Sequence, residues 1–176
     1  MVGTVLLVGA VTARNVGSLR RAATIDHLTG ALNRSGLEVA ATIVLAAAHR
    51  HGAPLAVVMV DLDGFKRVND TLGHAAGDRL LADLVDGWRE RLREQDLAAR
   101  IGGDEFVLVL PDTDAAGAEA VVVELARDAP TPWTAGVAVA GPQDTLDSLV
   151  RRADRELYRR KRSAGAVEGP AGAVEG

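Results

Sequence analysis

Residues 97–110 read LAARIGGDEFVLVL, two short apolar runs on either side of Gly102 and Gly103. Runs of this kind around a glycine pair are typical of a β-hairpin. Asp104 and Glu105 follow the glycines directly, and successive strand residues point to opposite faces, so only one of the two can enter a given site. The stretch therefore predicts a hairpin that presents a carboxylate. The alternative is a plain turn with two surface acids.

The chain around this hairpin alternates helical and strand patterns. Strands are predicted at Leu55–Leu62, Leu97–Ile101, Glu105–Leu110 and Trp133–Ala140. Helices are predicted at Ser18–Ile25, at Leu37–His49 with Ser35 as N-cap, at Leu80–Arg93, at Asp112–Arg127 with a negative first turn, and at Leu146–Arg162. A hairpin with interleaved helices is typical of an α+β fold, in which helices flank a mixed or antiparallel sheet.

The composition limits the class of protein. The chain has 176 residues, of which 48% are hydrophobic and 25% charged, as in an ordinary soluble domain. It contains no cysteine, which excludes disulfides, thiolate zinc sites and cysteine nucleophiles and fits a reducing compartment. The net charge of -4 argues against a general nucleic-acid binder.

The two ends differ from the middle. Residues 1–22 form an apolar segment with a helical lead-in, in which Val2–Ala13 is uncharged and arginines follow. This run is too short to cross a bilayer, which takes about 20 residues. Two interpretations stay open: a packing helix or strand, or the tail of a membrane helix with the arginines on the cytoplasmic side. Residues 164–176 consist mainly of small residues and are predicted to be disordered, which leaves 23–163 as the folded domain.

Asp61 ends the apolar strand Leu55–Leu62, where a charge is costly unless it is paired or bound to a metal. If neighbouring strands bring Asp61 close to Asp104, the two carboxylates could share a cation such as Mg²⁺, which takes one or two carboxylates and completes its shell with phosphate oxygens. The alternative is that Asp61 caps the following helix, although Asp63 fits that role better.

Three polar residues follow this strand. Lys66 can meet a phosphate as a point charge. The Asn69 amide and the Asp78 carboxylate can together read guanine, because a carboxylate accepts hydrogen bonds from the N1 and N2 hydrogens of the base. The alternatives are a turn at Asn69-Asp70 and a helix cap at Asp78.

Five segments together resemble the GGDEF, or diguanylate cyclase, domain family. They are DHLTGALNR (26–34), DLDGFKRVND (61–70), GHAAGD (73–78), RIGGDEF (100–106) and ADRELYRRK (153–161). The resemblance runs from about Asp26 to Lys161, and residues 134–138 fit a late strand of the family. It implies a ferredoxin-like palm, similar to the palm domains of nucleotide cyclases and polymerases, with a central, mostly antiparallel five-stranded sheet flanked by helices.

The resemblance also implies an activity. Such domains join two GTP molecules into cyclic di-GMP and release two pyrophosphates, and the 3′-hydroxyl of each GTP attacks the α-phosphate of the other. Each subunit holds one GTP, so a homodimer is needed for turnover. The implied cofactor is Mg²⁺, two ions per site, with Mn²⁺ as a substitute. The implied location is the bacterial cytoplasm, at the inner face of the membrane if a membrane or sensor segment precedes this chain.

The motif match gives roles to residues of these segments. Metal binding falls to Asp61, Asp104 and the carbonyl oxygen of Leu62. Catalysis falls to Asp61, Asp104 and Glu105, and Glu105 is a further acid that would assist deprotonation. Contacts with GTP fall to Lys66, Asn69, Asp78, Gly102, Gly103 and Lys161. The lysines would hold phosphates, Asn69 and Asp78 would read guanine, and the glycines would let the backbone approach the nucleotide.

Many members of the family carry Arg-x-x-Asp shortly before the glycine pair, where cyclic di-GMP binds and inhibits. Arg93 and Asp96 have this placement. The same spacing occurs elsewhere in the chain, so only the position singles out this pair. The alternative is a charged helix end.

Two departures from the family pattern stand out. The arginine expected soon after Lys161 is missing, and Arg162 lies in a different register. The segment 112–136 is short, so an edge hairpin is expected to be absent.

The main rival function is a non-catalytic module that binds GTP or cyclic di-GMP, and a third interpretation is an output domain that depends on a regulatory module. The retained acids favour the enzyme.

Overall fold

The structure, a computed structural model, describes residues 24–167, with side chains for residues 24–163. The helices are α1 (Arg34–His51), α2 (Phe65–Leu72), α3 (His74–Arg89), α4 (Ala115–Ala126) and α5 (Leu146–Val167). The strands are β1 (Leu55–Leu62), β2 (Leu97–Arg100), β3 (Glu105–Pro111) and β4 (Trp133–Val139). None of the helices in this part of the chain is long and apolar enough to cross a membrane.

The strands form one antiparallel sheet in the order β2-β3-β1-β4. The predicted α+β fold with an antiparallel sheet flanked by helices is confirmed, but the predicted number of five strands is wrong, because the described sheet has four. Beside β2, Leu32 forms only single-residue bridges, to Ile25 and Ala99. The chain before Leu32 is folded into a turn, in which the Gly30 N–H donates to the Asp26 carbonyl at 2.8 Å, so it cannot run along β2 as a strand.

The sheet is covered on both faces. Alternate residues of β1, such as Val58 and Val60, pack with α3 and α4, while Val57 and Met59 pack with α1 and α5. Strands buried on both faces are apolar throughout, which explains the continuous run before Asp61. By the same alternation Asp61 faces α5.

Several predicted boundaries need correction. The N-cap of α1 is Asn33 rather than Ser35, because the Asn33 side chain accepts the Gly36 N–H at 2.9 Å. The predicted negative first turn of α4 is wrong: its acids precede the helix, and Asp114 caps it by accepting the Gly117 N–H at 2.8 Å. Residues 127–132 join α4 to β4 directly, so this part of the described chain has no edge hairpin, as expected.

The largest corrections concern helices after β1. The predicted helix Leu80–Arg93 begins earlier, at His74, and ends at Arg89, and a separate helix α2 precedes it. Gly73 lies between them at φ 81°, a conformation that favours glycine. Asn69 and Asp78 therefore lie inside helices, and the alternatives of a turn and a cap are wrong.

At the ends of the described chain, Ile25 forms a bridge instead of ending a helix. Residues 164–167 continue α5, although the sequence predicts them as part of a disordered tail. The remaining predictions for 1–23 and 168–176 lie outside the described residues.

Candidate active site

The acids of the site come from adjacent strand ends. In the β1–β3 register Asp61 lies directly opposite Glu105. Side chains of directly opposed residues share a face of the sheet. Asp104 immediately precedes β3, and its carbonyl accepts the Leu62 N–H at 3.2 Å. The fold thus brings the carboxylates of Asp61 and Glu105 onto one face, with Asp104 at the end of the strand pair.

Lys161 enters this cluster from α5. Its ammonium pairs with the Asp61 carboxylate and lies 3.5 Å from Oδ1 of Asp63. Asp63 is itself held by the Thr134 hydroxyl, which donates to its two carboxylate oxygens at 2.9 and 3.0 Å. Lys161 was predicted to hold a phosphate; in this structure it neutralises the acids at the end of β1.

The close approach of α5 to the sheet depends on Gly136 in β4. A Cβ at this position would collide with the Ala153 carbonyl oxygen and the Leu157 backbone nitrogen. Leu157 lies one helical turn before Lys161, so the glycine sets how deeply α5 seats and where the ammonium reaches.

The donors at the strand ends fit a divalent cation. They are oxygen atoms only, which Mg²⁺ prefers. Within residues 24–167, no three or more acidic, His or Cys side chains already converge as a metal site. Two protein carboxylates would therefore leave most of the shell to phosphate and water oxygens, as is usual for Mg²⁺. The ammonium at Asp61 shows that a cation is stable at this carboxylate.

The start of α2 is suited to an anion. It follows β1 after Gly64, which has φ 72° and gives no side-chain cap. The first backbone N–H groups of a helix have no partner within the helix, and an uncapped N-terminus attracts phosphate. Lys66 lies in the first turn, is exposed, and forms no ion pair with the side chains described.

The Asn69 side chain lies against Gly77, where α2 meets α3. A Cβ at Gly77 would collide with the Asn69 Oδ1 atom and would lie 3.1 Å from Phe65 Cζ. The absence of a side chain at Gly77 thus makes room for the Asn69 amide, and Asp78 is the next residue of α3. The Asn69 amide thus lies against the backbone of the residue that precedes Asp78.

The turn between β2 and β3 is narrow. The N–H groups of Ile101 and Gly102 both donate to the Glu105 carbonyl, at 3.0 and 3.3 Å. A Cβ at Gly102 would collide with the Glu105 carboxylate, whereas one at Gly103 would meet nothing within 4 Å. A glycine is therefore needed at position 102 to leave room for the Glu105 side chain, whereas the space beside Gly103 is empty.

Sequence reasoning missed two residues that support this turn. The Arg100 guanidinium donates to the Gly103 carbonyl at 2.8 and 3.2 Å and to the Asp26 carboxylate at 3.3 Å. Burial acts to raise the pKa of Asp26, but the hydrogen bonds from Thr29 and the charge of Arg100 outweigh it, so the pKa is lowered from its ordinary value. The available signal was their position, since Asp26 and Arg100 open two of the five recognised segments.

Arg93 and Asp96 lie apart from these residues, at the other end of β2 from the glycine pair. One carboxylate oxygen of Asp96 accepts the Arg93 N–H at 2.8 Å. The other oxygen is buried and has no hydrogen-bond partner among the residues that the structure describes. Both residues line a groove of about 330 Å³ with apolar walls that include Leu92 and Leu97.

Arg162 does not extend the contacts of Lys161. Its guanidinium lies over the Tyr158 ring, 5.9 Å from the centroid. Among the side chains described, residues 24–163, no arginine joins Lys161 at Asp61 in place of the one that the family pattern leads one to expect.

Comparisons with known proteins agree on one family. The family model described as diguanylate cyclase, GGDEF domain, matches residues 23–166. Diguanylate cyclase DgcP of Pseudomonas aeruginosa is 36% identical over 156 residues, which is 82% of this chain. The chain spans 23% of the length of that relative.

Solved structures share the fold. The coiled coil and GGDEF domain of DgcB from Caulobacter crescentus, in complex with cyclic di-GMP, has a TM-score of 0.82 and 26% identity, and the match covers 91% of each chain. A microbial GGDEF domain solved with bis-(3′,5′)-cyclic di-GMP has a TM-score of 0.76 and 38% identity, and the match covers 82% of this chain and 94% of that one.

Proposed function

The chain belongs to the GGDEF family of diguanylate cyclase domains, and from this premise we propose that it condenses two GTP molecules into cyclic di-GMP and two pyrophosphates. Enzymes of this family generally need a divalent metal. The observation that carries the proposal is the strand register that sets Asp61 opposite Glu105 beside the uncapped start of α2. This arrangement, together with the bond from the Leu62 N–H to the Asp104 carbonyl, supports a site in which the acids lie close to a helix end that suits phosphate.

The acids at the strand ends would hold two Mg²⁺ ions, or Mn²⁺ in their place. Asp61, Asp104 and the Leu62 carbonyl oxygen are the proposed ligands. When bound, the metal supplies charge neutralisation of the triphosphate and of the charge that develops on the α-phosphate. Lys161 already lies between two carboxylates, so it can stay with Asp63 when a metal takes Asp61, and from there its ammonium can contact a phosphate.

The triphosphate would lie at the start of α2. Its N–H groups and the Lys66 ammonium provide donors for phosphate oxygens, and the helix dipole favours negative charge there. At the other end of the nucleotide, Asn69 and Asp78 would bind the guanine edge, because the Asp78 carboxylate can accept from both N1 and N2. Gly103 leaves space for the nucleotide at the turn.

The reaction needs a second subunit. In each half-reaction a bond forms between the 3′-oxygen of one GTP and the α-phosphorus of the other, and the bond from that phosphorus to the pyrophosphate oxygen breaks. Glu105, on the same face as Asp61, would assist removal of the proton of the 3′-hydroxyl. One chain provides a site for one GTP, so turnover requires two chains with their sites facing each other.

Product inhibition at Arg93 and Asp96 forms part of the proposal. The buried Asp96 oxygen without a partner supports it, because such an atom is costly unless a ligand donates to it. A guanine N–H group could donate to this oxygen, and the Arg93 guanidinium could bind a phosphate or a base edge.

The proposal places the domain in the bacterial cytoplasm, where GTP is available.

A product assay tests the function. Purified protein would be incubated with GTP and Mg²⁺, and cyclic di-GMP would be measured by chromatography beside Asp104→Asn, a variant of nearly the same shape without the charge. The proposal predicts product from the wild type and at least about 100-fold less from the variant. Tight GTP binding without product at high protein concentration would instead identify a non-catalytic binding module.

A further inference from the structure

The guanidinium of Arg100 connects the β2–β3 turn to a second turn at Asp26. Two of its nitrogens, Nε and Nη2, donate to the Gly103 carbonyl at 3.2 and 2.8 Å, and Nη1 donates to Asp26 at 3.3 Å. The side chains of Arg100 and Asp26 are 16% and 24% exposed, so the pair is more sheltered than a surface salt bridge. Such pairs hold their geometry better than exposed ones do.

The bonds to Gly103 restrain the residue that follows it. The Gly103 carbonyl and the Asp104 nitrogen belong to one rigid peptide plane, so fixing the carbonyl oxygen fixes the direction in which the chain enters Asp104. No side chain crowds Gly103, because a Cβ built there would meet nothing within 4 Å, and glycine is conformationally permissive. The two N–H donors of Arg100 restrain the carbonyl end of this plane, in addition to the bond from the Leu62 N–H to the Asp104 carbonyl.

The other end of the contact is itself anchored. The Asp26 carboxylate accepts the Thr29 N–H at 3.0 Å and the Thr29 hydroxyl at 2.7 Å. Beyond this turn, the Leu32 N–H donates to the Ala98 carbonyl at 2.9 Å, and the Arg100 N–H donates to the Leu32 carbonyl at 2.8 Å. The Asp26 turn is thus hydrogen-bonded to β2 through the Asp26 carboxylate and through the backbone of Leu32. The carboxylate that Arg100 binds is therefore held in place.

We propose that Arg100, held by Asp26, is a positioning residue for the cyclase reaction: through the Gly103 carbonyl it directs the Asp104 side chain towards the metal and the triphosphate. This inference rests on the proposed function of Asp104. A lysine cannot replace Arg100, because its ammonium has a single nitrogen. The planar guanidinium donates from two nitrogens to Gly103 and from a third to Asp26 in a fixed geometry.

The test compares Arg100→Lys with Arg89→Lys. Arg89 is the matched control, because it also contacts the Asp26 turn, donating to the Thr29 carbonyl at 3.0 Å, but makes no described hydrogen bond to Gly103. Residues that support a metal ligand typically contribute about 10- to 100-fold to metal affinity or activity. Arg100→Lys is expected to lower kcat by about 10- to 100-fold, and Arg89→Lys by less than about twofold.

A binding measurement separates positioning from folding. The probe is 3′-deoxy-GTP, which lacks the attacking hydroxyl and cannot react, and its affinity would be measured by calorimetry as a function of Mg²⁺ concentration. Arg100→Lys is expected to raise the Mg²⁺ concentration needed for half-maximal binding by about tenfold or more, at an unchanged fraction of folded protein. An unchanged Mg²⁺ requirement, or activity within twofold of the wild type, would overturn the inference.

A second variant keeps the test decisive if Arg100→Lys does not fold. Asp26→Asn retains an oxygen that can accept from Thr29 but loses the charge that holds Arg100, so it is expected to shift the Mg²⁺ requirement in the same direction by a smaller factor. No shift would again overturn the inference. Because 3′-deoxy-GTP binding needs no turnover, a wild-type protein that forms no cyclic di-GMP would refute the proposed function while the role of Arg100 was still measured.

Discussion

Gly136→Ala tests how α5 seats on the sheet. The added Cβ would collide with backbone atoms of Ala153 and Leu157, which cannot rotate away as a side chain can. The helix must move outwards, and overpacking of this kind costs about 1–3 kcal/mol. For a domain of this size the melting temperature should fall by about 3–10 °C. Since Lys161 moves with the helix, the rate of product formation should also fall, by about tenfold.

The assay is thermal unfolding followed by circular dichroism, with Gly87→Ala as the matched control. Gly87 lies inside α3, and a Cβ there would meet only the Arg91 side chain, at 3.8 Å. Replacing glycine by alanine within a helix stabilises it by up to about 1 kcal/mol, so this variant should melt at or above the wild-type temperature. If Gly136→Ala melted within 1 °C of the wild type, the described contact between β4 and α5 would be wrong.

Three further predictions concern binding and pH. Asp78→Ala should lower the preference for GTP over ATP, measured as a ratio of kcat/KM, by roughly 10- to 100-fold, because a carboxylate that reads a base edge contributes about 1–3 kcal/mol. Asp83→Ala, on the exposed side of α3, should leave this preference unchanged. Arg93→Ala should raise the cyclic di-GMP concentration that halves the initial rate by about tenfold or more. Arg151→Ala, at an Arg-x-x-Asp pattern elsewhere in the chain, should leave this concentration unchanged. Equal effects of the two substitutions would refute the inhibitory site. Because the pKa of Asp26 is lowered, the Asp26 carboxylate contributes fully to stability above the ordinary pKa of 3.8, and this contribution is lost as the pH falls below that value. The difference in unfolding free energy between the wild type and Asp26→Asn should therefore shrink between pH 5 and pH 3. A constant difference would contradict this.

Local pattern was enough to predict the features that depend on few residues. The strand Leu55–Leu62 is continuously apolar because both faces of β1 are covered, and the glycine pair marks the hairpin whatever the rest of the chain does. The break at Gly73 was harder to predict. The segment before it has a polar composition, and in the structure it forms α2, which ends where Gly73 adopts φ 81°.

The arrangement of the site depends on register and on long side chains, which local pattern does not determine. Alternation along a strand allows only one of Asp104 and Glu105 to share a face with Asp61, and the β1–β3 register was needed to identify Glu105. Asp104 lies just before β3, at the end of the strand pair, where its carbonyl accepts the Leu62 N–H. The contacts of Arg100 and Lys161 join residues 74 and 100 positions apart. Contacts over such separations follow from how the helices and strands pack, so the sequence identified Lys161 as a candidate only and missed Arg100.

The proposed metal site at the end of β1 is tested most directly by one comparison of initial rates. Cyclic di-GMP formation from GTP would be measured for Asp61→Asn and for Asp112→Asn, the same change beyond the far end of β3, where φ is 50° and asparagine is well tolerated. Loss of a metal ligand at Asp61 should lower the rate by at least about 100-fold, while Asp112→Asn should stay within twofold of the wild type. If Asp61→Asn kept more than half of the wild-type rate, the acids at these strand ends would not form the catalytic metal site.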